Sequence, residues 1–201
     1  MTPELTCIVS TFMGAAKLRC SIAALLLQDP EVNIIVTDNT PRSSAEYSRS
    51  ERVAEELCVR YINTCHVGGG TDPCDAATYV AALHRPELGE WLTFPSDDGY
   101  HVPLFSKIVL QTAAEHPEWD FIYWDILYDP RRTGKYEVMS VHPANCHIDK
   151  TSFMIRTKLF CEIGGFPPSP DNGWRDAKLA EKLVAMGVKH GKAPGCLGVH
   201  S

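Results

Sequence analysis

Val32-Asn33-Ile34-Ile35-Val36-Thr37-Asp38-Asn39-Thr40 is the stretch on which the fold turns. Val32 to Thr37 is almost all β-branched and apolar. A strand that faces water on one side alternates; a run like this predicts a strand buried on both faces. Working outward, Leu5 to Thr11 is a second short apolar run with β-branched residues. Between them, Leu18, Ile22, Leu25 and Leu26 recur at helical spacing over Lys17 to Gln28, and Asp29-Pro30 ends that helix. The opening is therefore strand, helix, strand.

The alternation continues downstream. Ser43 to Leu57 predicts a helix with Val53 and Leu57 inward, and Val59 to Ile62 a third strand. Gly68-Gly69-Gly70 is a loop, after which Thr71 or Asp72 caps a helix with Pro73 in its first turn. Trp91 to Phe94 is a strand that ends in Pro95-Ser96-Asp97-Asp98-Gly99. Pro103 opens a helix carrying Leu104, Ile108 and Leu110. Phe121 to Tyr128 is extended, and Arg131 to Gly134 a turn before a strand around Val138. Ser152 to Ile155 is a strand, and Lys158 to Ile163 a short helix closed by Gly164-Gly165. Asp176 to Met186 is a helix with Leu179, Leu183 and Met186 inward and Gly187 as its stop. Val188 and Leu197 to Val199 are extended pieces. Strands spaced by such helices predict an α/β fold, a mostly parallel central sheet with helices on both faces.

The chain has 201 residues, 44% of them hydrophobic, which predicts one domain with a sizeable core. Its formal net charge of −6 and the lack of a Lys/Arg run argue against a dedicated nucleic-acid binder. No apolar run approaches the roughly 18–20 residues of a membrane span. Met1 to Leu5 lacks a basic start and a long apolar run, so no secretory signal and a cytoplasmic setting are expected. The 8 cysteines show no CxxC spacing, which leaves zinc-ribbon and thioredoxin readings unsupported. Cys7 and Cys58 precede apolar residues and read as small buried hydrophobes, reduced rather than paired.

In parallel sheets ligands sit beyond the carboxyl ends of the strands. Those ends read Ser10-Thr11-Phe12, Asp38-Asn39-Thr40 and Ser96-Asp97-Asp98. All three are expected in one crevice, and two carry carboxylates. Paired carboxylates there suit a hard divalent cation bridging protein to a diphosphate.

The ordered set of these motifs resembles the family 2 glycosyltransferases, which have the GT-A fold. Ile8-Val9-Ser10-Thr11-Phe12-Met13 stands for the family's first strand. Ile34 to Thr40 stands for its second, and Phe94-Pro95-Ser96-Asp97-Asp98-Gly99 with Pro103 for its metal motif. Met154-Ile155-Arg156, Phe160-Cys161-Glu162-Ile163-Gly164-Gly165-Phe166 and Arg175-Asp176-Ala177-Lys178-Leu179 follow in order. The resemblance covers nearly the whole chain. It implies a GT-A nucleotide-diphospho-sugar transferase fold over 1–201, with a nucleotide-binding half at 1–98 and an acceptor-binding half at 99–201.

It also implies an inverting, metal-dependent transfer from a nucleotide-sugar donor, UDP-sugar favoured, to a hydroxyl of a glycan, a protein or a nucleic-acid base. Mn2+ or Mg2+ is the implied cofactor, on Asp98 first and on a late His200. Thr11 and Phe12 fall at the nucleobase pocket. Asp38 falls on the base or ribose, Asp97 on the ribose or outside the metal ligands, and Arg156 among the cations opposite the diphosphate. Asp176 matches the catalytic base, and Arg175 beside it is expected to depress its pKa. Trp174 is the acceptor-stacking candidate.

Where the family has a leading Asp this chain has Ser96, and Gly99 is a second departure. Asp75 in a phosphate-facing position would repel a diphosphate. These departures keep a second reading open, a nucleotide- or sugar-binding module without turnover. A sugar-phosphate nucleotidyltransferase is a third reading, disfavoured because the glycine run lies after two strand–helix units. Arg131, Arg132 and Lys135 in a loop, and His142 and His147 around Pro143 to Cys146, are read as ordinary solvated or hydrogen-bonding groups. Trp119, Tyr123 and Trp124 are weaker sugar-stacking candidates than Trp174.

Overall fold

The computed structural model describes residues 3–67, 72–128, 134–143, 148–168 and 174–200. In chain order the elements are β1 (Leu5–Thr11), α1 (Ala15–Leu26), β2 (Asn33–Asp38), α2 (Ala45–Glu56), β3 (Arg60–Asn63), α3 (Pro73–Leu83) and β4 (Trp91–Thr93). Then come β5 (Gly99–His101), α4 (Phe105–Glu115), β6 (Phe121–Tyr128), β7 (Glu137–Met139), β8 (Phe153–Arg156), α5 (Thr157–Glu162), α6 (Arg175–Ala185) and β9 (His190–His200). The strands form one sheet in the order β3-β2-β1-β4-β8-β6-β9-β5, with β7 also on β6.

Strand direction is what positions the site. β1 pairs in parallel with β2 and β4, and β2 with β3. β8 is antiparallel to both β4 and β6, so β6 runs the same way as β4. β9 is parallel to β6. Six strands thus share one direction, while β5, β7 and β8 run against it. The carboxyl ends of the six and the amino ends of the reversed strands meet at one sheet edge.

Alternation along the strands divides the core between the two faces. Ile8, Ile35 and Leu92 pack under α3, α5 and α6 through Val80, Phe160, Leu179 and Leu183. Cys7, Val9, Ile34 and Val36 pack on the other face with Leu18, Ile22 and Leu25 of α1 and Phe105 and Val109 of α4. A cluster of aromatic rings ties β4, β8 and α5 together: Phe94 lies 4.9 Å from both Phe160 and Phe166. Arg60 to Asn63 and Glu137 to Met139 are less buried, as strands at or off the sheet's rim should be.

Several local expectations change. The inward face of α4 is Phe105, Val109, Thr112 and Ala113; Leu104 is exposed and takes the left-handed capping position before the helix. Met186 is exposed because α6 has ended at Ala185 and its stripe is complete at Leu183. Cys58 is exposed, in the left-handed turn that ends α2, whereas Cys7 is buried as expected. Val188 and Leu197 to Val199 do not stand apart; Leu197 to Val199 falls in the eleven-residue β9, laid against β6. Gly99 to His101, which runs from the end of the expected turn into a stretch given no element, is β5. No helix among the described residues is long and apolar enough to cross a membrane. The loop 68–71, residues 131–133 and residues 144–147, which hold Gly68 to Thr71, Arg131, Arg132 and His147, lie outside the described residues.

His101 is buried, its ring 4.0 Å from that of Phe105, and its ring nitrogens make no hydrogen bond of ordinary geometry among the described residues, the Thr151 backbone only partly offsetting the burial. Burial pushes its pKa down to about 4. The folded chain therefore keeps His101 neutral where the unfolded chain takes up a proton. Stability is full above the unfolded value of about 6.5 and is lost as pH falls from there to about 4. By that linkage the side chain contributes about 2 kcal/mol of destabilisation between pH 7 and pH 5. Urea unfolding of His101→Phe should show a flatter dependence over this range than the parent. Parallel curves would remove His101 as the source.

Candidate functional site

Three strand ends reach the cleft as their directions require. The β1–β4 pairing extends past the regular ladder through Ser10 and Ser96, with Ser10 N–H on Pro95 C=O at 3.0 Å and Asp97 N–H on Ser10 C=O at 3.0 Å. This carries Asp97 against Thr11, whose hydroxyl donates to its carboxylate. Burial pushes the Asp97 carboxyl up, against the Thr11 bond. Phe12, next along, is half exposed at the rim. The cleft between them is about 260 Å3 and is lined by Ser10, Thr11, Phe12, Asn39, Pro73, Ser96, Asp97, Asp98, Lys150 and His200.

Asp38 is in the right loop but turned away. It is fully buried, with one oxygen accepting from Thr40 N–H at 2.7 Å and the other from Tyr61 Oη at 2.7 Å. Its carboxylate shapes the loop, and the neighbouring Asn39 lines the cleft instead. Asn39 is itself held, donating to Asp72 C=O at 3.1 Å.

Asp98 and His200 come together. Gly99 begins β5 directly opposite His200 of β9. A side chain at Gly99 would stand 2.9 Å from Val199 C=O, so the close approach of the two strands requires glycine there. His200 Nε2 lies 3.5 Å from Asp98 Oδ1, and its Nδ1 lies 3.0 Å from Asp149 Oδ2. Ser96 Oγ donates to Asp98. Burial opposes charge on all three groups, but the mutual bonds win. Asp98 is held well below the usual carboxylate range and Asp149 at about 2, while His200 is raised to about 9.

Asp149 belongs to a short 3-10 turn, Lys150–Ser152, and closes a capping box on it. Its Oδ1 accepts from Thr151 N–H at 2.9 Å, and Ser152 Oγ accepts from its own N–H at 3.0 Å. The same turn holds Asp176: Lys150 N–H donates to Asp176 Oδ2 at 3.0 Å, and Ala177 N–H to Oδ1 at 2.9 Å. Burial, with the Asp149 charge, pushes the Asp176 carboxyl up. Lys150 then sends its amine to Ser10 Oγ. Trp174, two residues before Asp176, caps α6 in the left-handed conformation and is 69% exposed, which leaves its ring face open.

Two expectations about cations are corrected. Arg175 does not depress Asp176. It points the other way along α6, 5% exposed, and pairs with Asp72 at 2.6 Å and Asp75 at 2.7 Å. Asp75 is thereby neutralised away from the cleft. Arg156 is not at the cleft at all. It ends β8, which runs backward, so it sits opposite Trp91 at the start of β4. Its guanidinium lies 4.1 Å over the Trp91 ring and pairs with Glu90. A groove of about 650 Å3 opens there, larger than the cleft, and most of its charges pair with one another: Arg156 with Glu90 and Asp120, Lys158 with Glu162. Trp124 is fully buried and Tyr123 nearly so. Trp119 stacks on His116 at 3.8 Å, and Lys135 pairs with Glu137 on the surface. His142 is near Tyr123, 6.3 Å between rings.

Sequence reasoning missed Lys150, Asp149 and Asn39. Asn39 was quoted within its motif, and Lys150 carried no signal beyond its place just before a reversed strand. Among the described residues no group of three or more His, Cys, Asp and Glu forms a metal cage. The pair Asp98 and His200 still fits a divalent cation. Two ligands at about 2.1 Å and right angles lie roughly 3 Å apart, and hard cations at phosphate sites take one or two protein ligands and fill the rest with phosphate oxygens and water. An imidazole beside a carboxylate favours Mn2+ over Mg2+.

No protein-family model matches the sequence, and no curated protein matches it. Solved structures do. "S. aureus TarS 1-349 in complex with UDP" superposes at a TM-score of 0.74 with 15% identity, over 98% of this chain and 60% of that one. "Mannosyltransferase PcManGT from Pyrobaculum calidifontis in complex with GDP-Man and Mn2+" gives 0.72 and 18%, over 100% and 57%. Glucosyl-3-phosphoglycerate synthase from Mycobacterium tuberculosis, in complex with Mn2+, UDP and glucosyl-3-phosphoglycerate, gives 0.64 and 12%, over 98% and 72%. The chain thus spans less than two thirds of the first two. At these identities the likeness establishes the fold, and the fold is GT-A.

The geometry makes one demand of Gly14, which caps α1. A methyl group there would overlap an oxygen of Asp97. Gly14→Ala should lower thermal stability by about 1–3 kcal/mol, the usual cost of overpacking, and should cost clearly less when Asp97→Ala is already present. An equal cost in both backgrounds would assign the effect to the helix start alone.

Proposed function

We propose that the chain is a metal-dependent, inverting glycosyltransferase that moves a sugar from a nucleotide-diphosphate donor, UDP-sugar by preference, to a hydroxyl acceptor. The observation that carries this reading is convergence. One cleft holds the nucleotide-side groups Thr11, Phe12 and Asp97 and the cation pair Asp98 and His200. A partly buried carboxylate, Asp176, is held in place by two backbone N–H groups, that of Lys150 on the turn beside it and that of Ala177 on its own helix. The GT-A fold supports the same chemistry.

In this reading residues 1–98 hold the nucleotide and 99–201 the acceptor. Phe12 offers an aromatic face to the base and Asn39 an amide beside it. Asp98 and His200 would hold the divalent cation, which would supply positive charge to the departing diphosphate. Asp176 takes the proton from the acceptor hydroxyl. The freed oxygen attacks the anomeric carbon, and the bond from that carbon to the diphosphate oxygen breaks with its electron pair on the diphosphate. Burial that raises the Asp176 pKa makes it the better base. The two N–H bonds use one lone pair on each oxygen and aim the carboxylate. Trp174 is the face on which the acceptor stacks.

Ser96, in place of an acidic residue, favours a cation site of fewer charges rather than none, because its hydroxyl braces Asp98. The direct test is thermal stability against a panel of nucleoside diphosphates, each with and without Mn2+. A ligand at about 100 times its Kd adds roughly 2.7 kcal/mol, a rise of several degrees at this size. A rise with UDP that needs Mn2+ is expected. Asp98→Ala should abolish the metal-dependent part. Asp176→Asn should keep donor binding and lose transfer by about 100-fold or more, the usual share of a general base. No rise with any pair would sink the transferase reading.

A further inference from the structure

The cleft is acidic, and its proposed ligand is an anion. Asp97 and Asp98 line it, and Asp149 and Asp176 stand behind it. Among the described residues lining it, Lys150 is the only lysine or arginine. Its amine makes one hydrogen bond, to the Ser10 hydroxyl, and no carboxylate of the described residues lies in ion-pair range. Arg156, the cation the sequence put forward for the diphosphate, is at the far edge of the sheet on Glu90, and Arg175, beside the candidate base, is locked to Asp72 and Asp75. A partly buried ammonium held against a neutral hydroxyl, while the nearby carboxylates are engaged by Thr11, Ser96, His200 and backbone N–H groups, is a donor set turned toward an incoming anion.

Its location narrows the anion. The backbone N–H of Lys150 holds Asp176, and the amine of the same residue reaches Ser10 at the nucleotide side. The side chain therefore crosses from the acceptor base to the floor under the nucleotide. Between those two the phosphates of a nucleotide-sugar donor must lie.

We propose that Lys150 is a diphosphate-binding residue that contacts the donor's phosphate oxygens from the Ser10 side of the cleft. On donor binding its amine leaves Ser10 Oγ for a phosphate oxygen, and it steadies the leaving group with a fixed positive charge that needs no metal. This rests on the transferase reading above. It predicts that part of the affinity for a nucleoside diphosphate survives removal of the cation, and that this part is electrostatic and tied to the phosphates rather than the base.

The test is calorimetric titration of UDP and of uridine into the parent, Lys150→Gln and Lys150→Arg, each with Mn2+ and with EDTA, alongside unliganded melting temperatures. Lys150→Gln should bind UDP about 10- to 100-fold more weakly in both conditions, the cost of one charge-assisted hydrogen bond. Its uridine binding and melting temperature should stay near the parent's. Lys150→Arg should keep most of the UDP affinity. Parent-like UDP binding by Lys150→Gln overturns the inference and leaves the nucleotide site standing. Equal loss of UDP and uridine with a lowered melting temperature also overturns it, making Lys150 a structural support. Absence of UDP binding by the parent overturns the transferase reading, and Lys150 falls with it.

Discussion

The capping box that Asp149 closes on the turn Lys150–Ser152 is the constraint on which the cleft depends. One carboxylate oxygen fixes the turn through Thr151, and the other fixes the imidazole of His200. Because the turn is fixed, the Lys150 N–H has one direction, and that direction sets Asp176. The candidate cation ligand, the candidate base and the amine facing the nucleotide are thus indexed to a single buried acid. An acid at that position cannot be traded for an amide without loss. Asn has a single acceptor oxygen, whereas the turn and the His200 Nδ1–H each need one.

Strand polarity explains both what the sequence reading found and what it lost. β1, β2 and β4 run the same way, so the groups after each strand were correctly expected at one edge, and Thr11, Asp97 and Asp98 are there. The same rule applied to β8 fails, because an antiparallel strand brings in the residues before it and sends away those after it. Lys150 precedes β8 and enters the cleft; Arg156 ends β8 and leaves. Nothing in the pattern Phe153-Met154-Ile155-Arg156 betrays its direction, since apolar runs read alike both ways.

Elements with strong periodicity were legible: β1, β6 and the helices α1 and α6 fall within two residues of expectation, and α3 starts at Pro73 under the Asp72 cap. What stayed hidden depended on which way a single side chain turns. Asp38 and Asn39 are adjacent, and only one of them faces the cleft. Arg175 and Asp176 are adjacent on a helix and point about 100° apart, so proximity in sequence said nothing about their pairing. β5 was invisible as a strand because three residues carry no period, and it exists only because β9 is there to pair with it.

β9 has a consequence for how the protein comes into being. It is inserted between β6 and β5, both made well before it, and its final residue is His200. Such pairings between remote segments form slowly, since the loop entropy is spent before the contacts repay it. A complete site therefore requires the chain through His200: without β9 on β6 and β5, the floor of the cleft on β1 and β4 lacks its cation side.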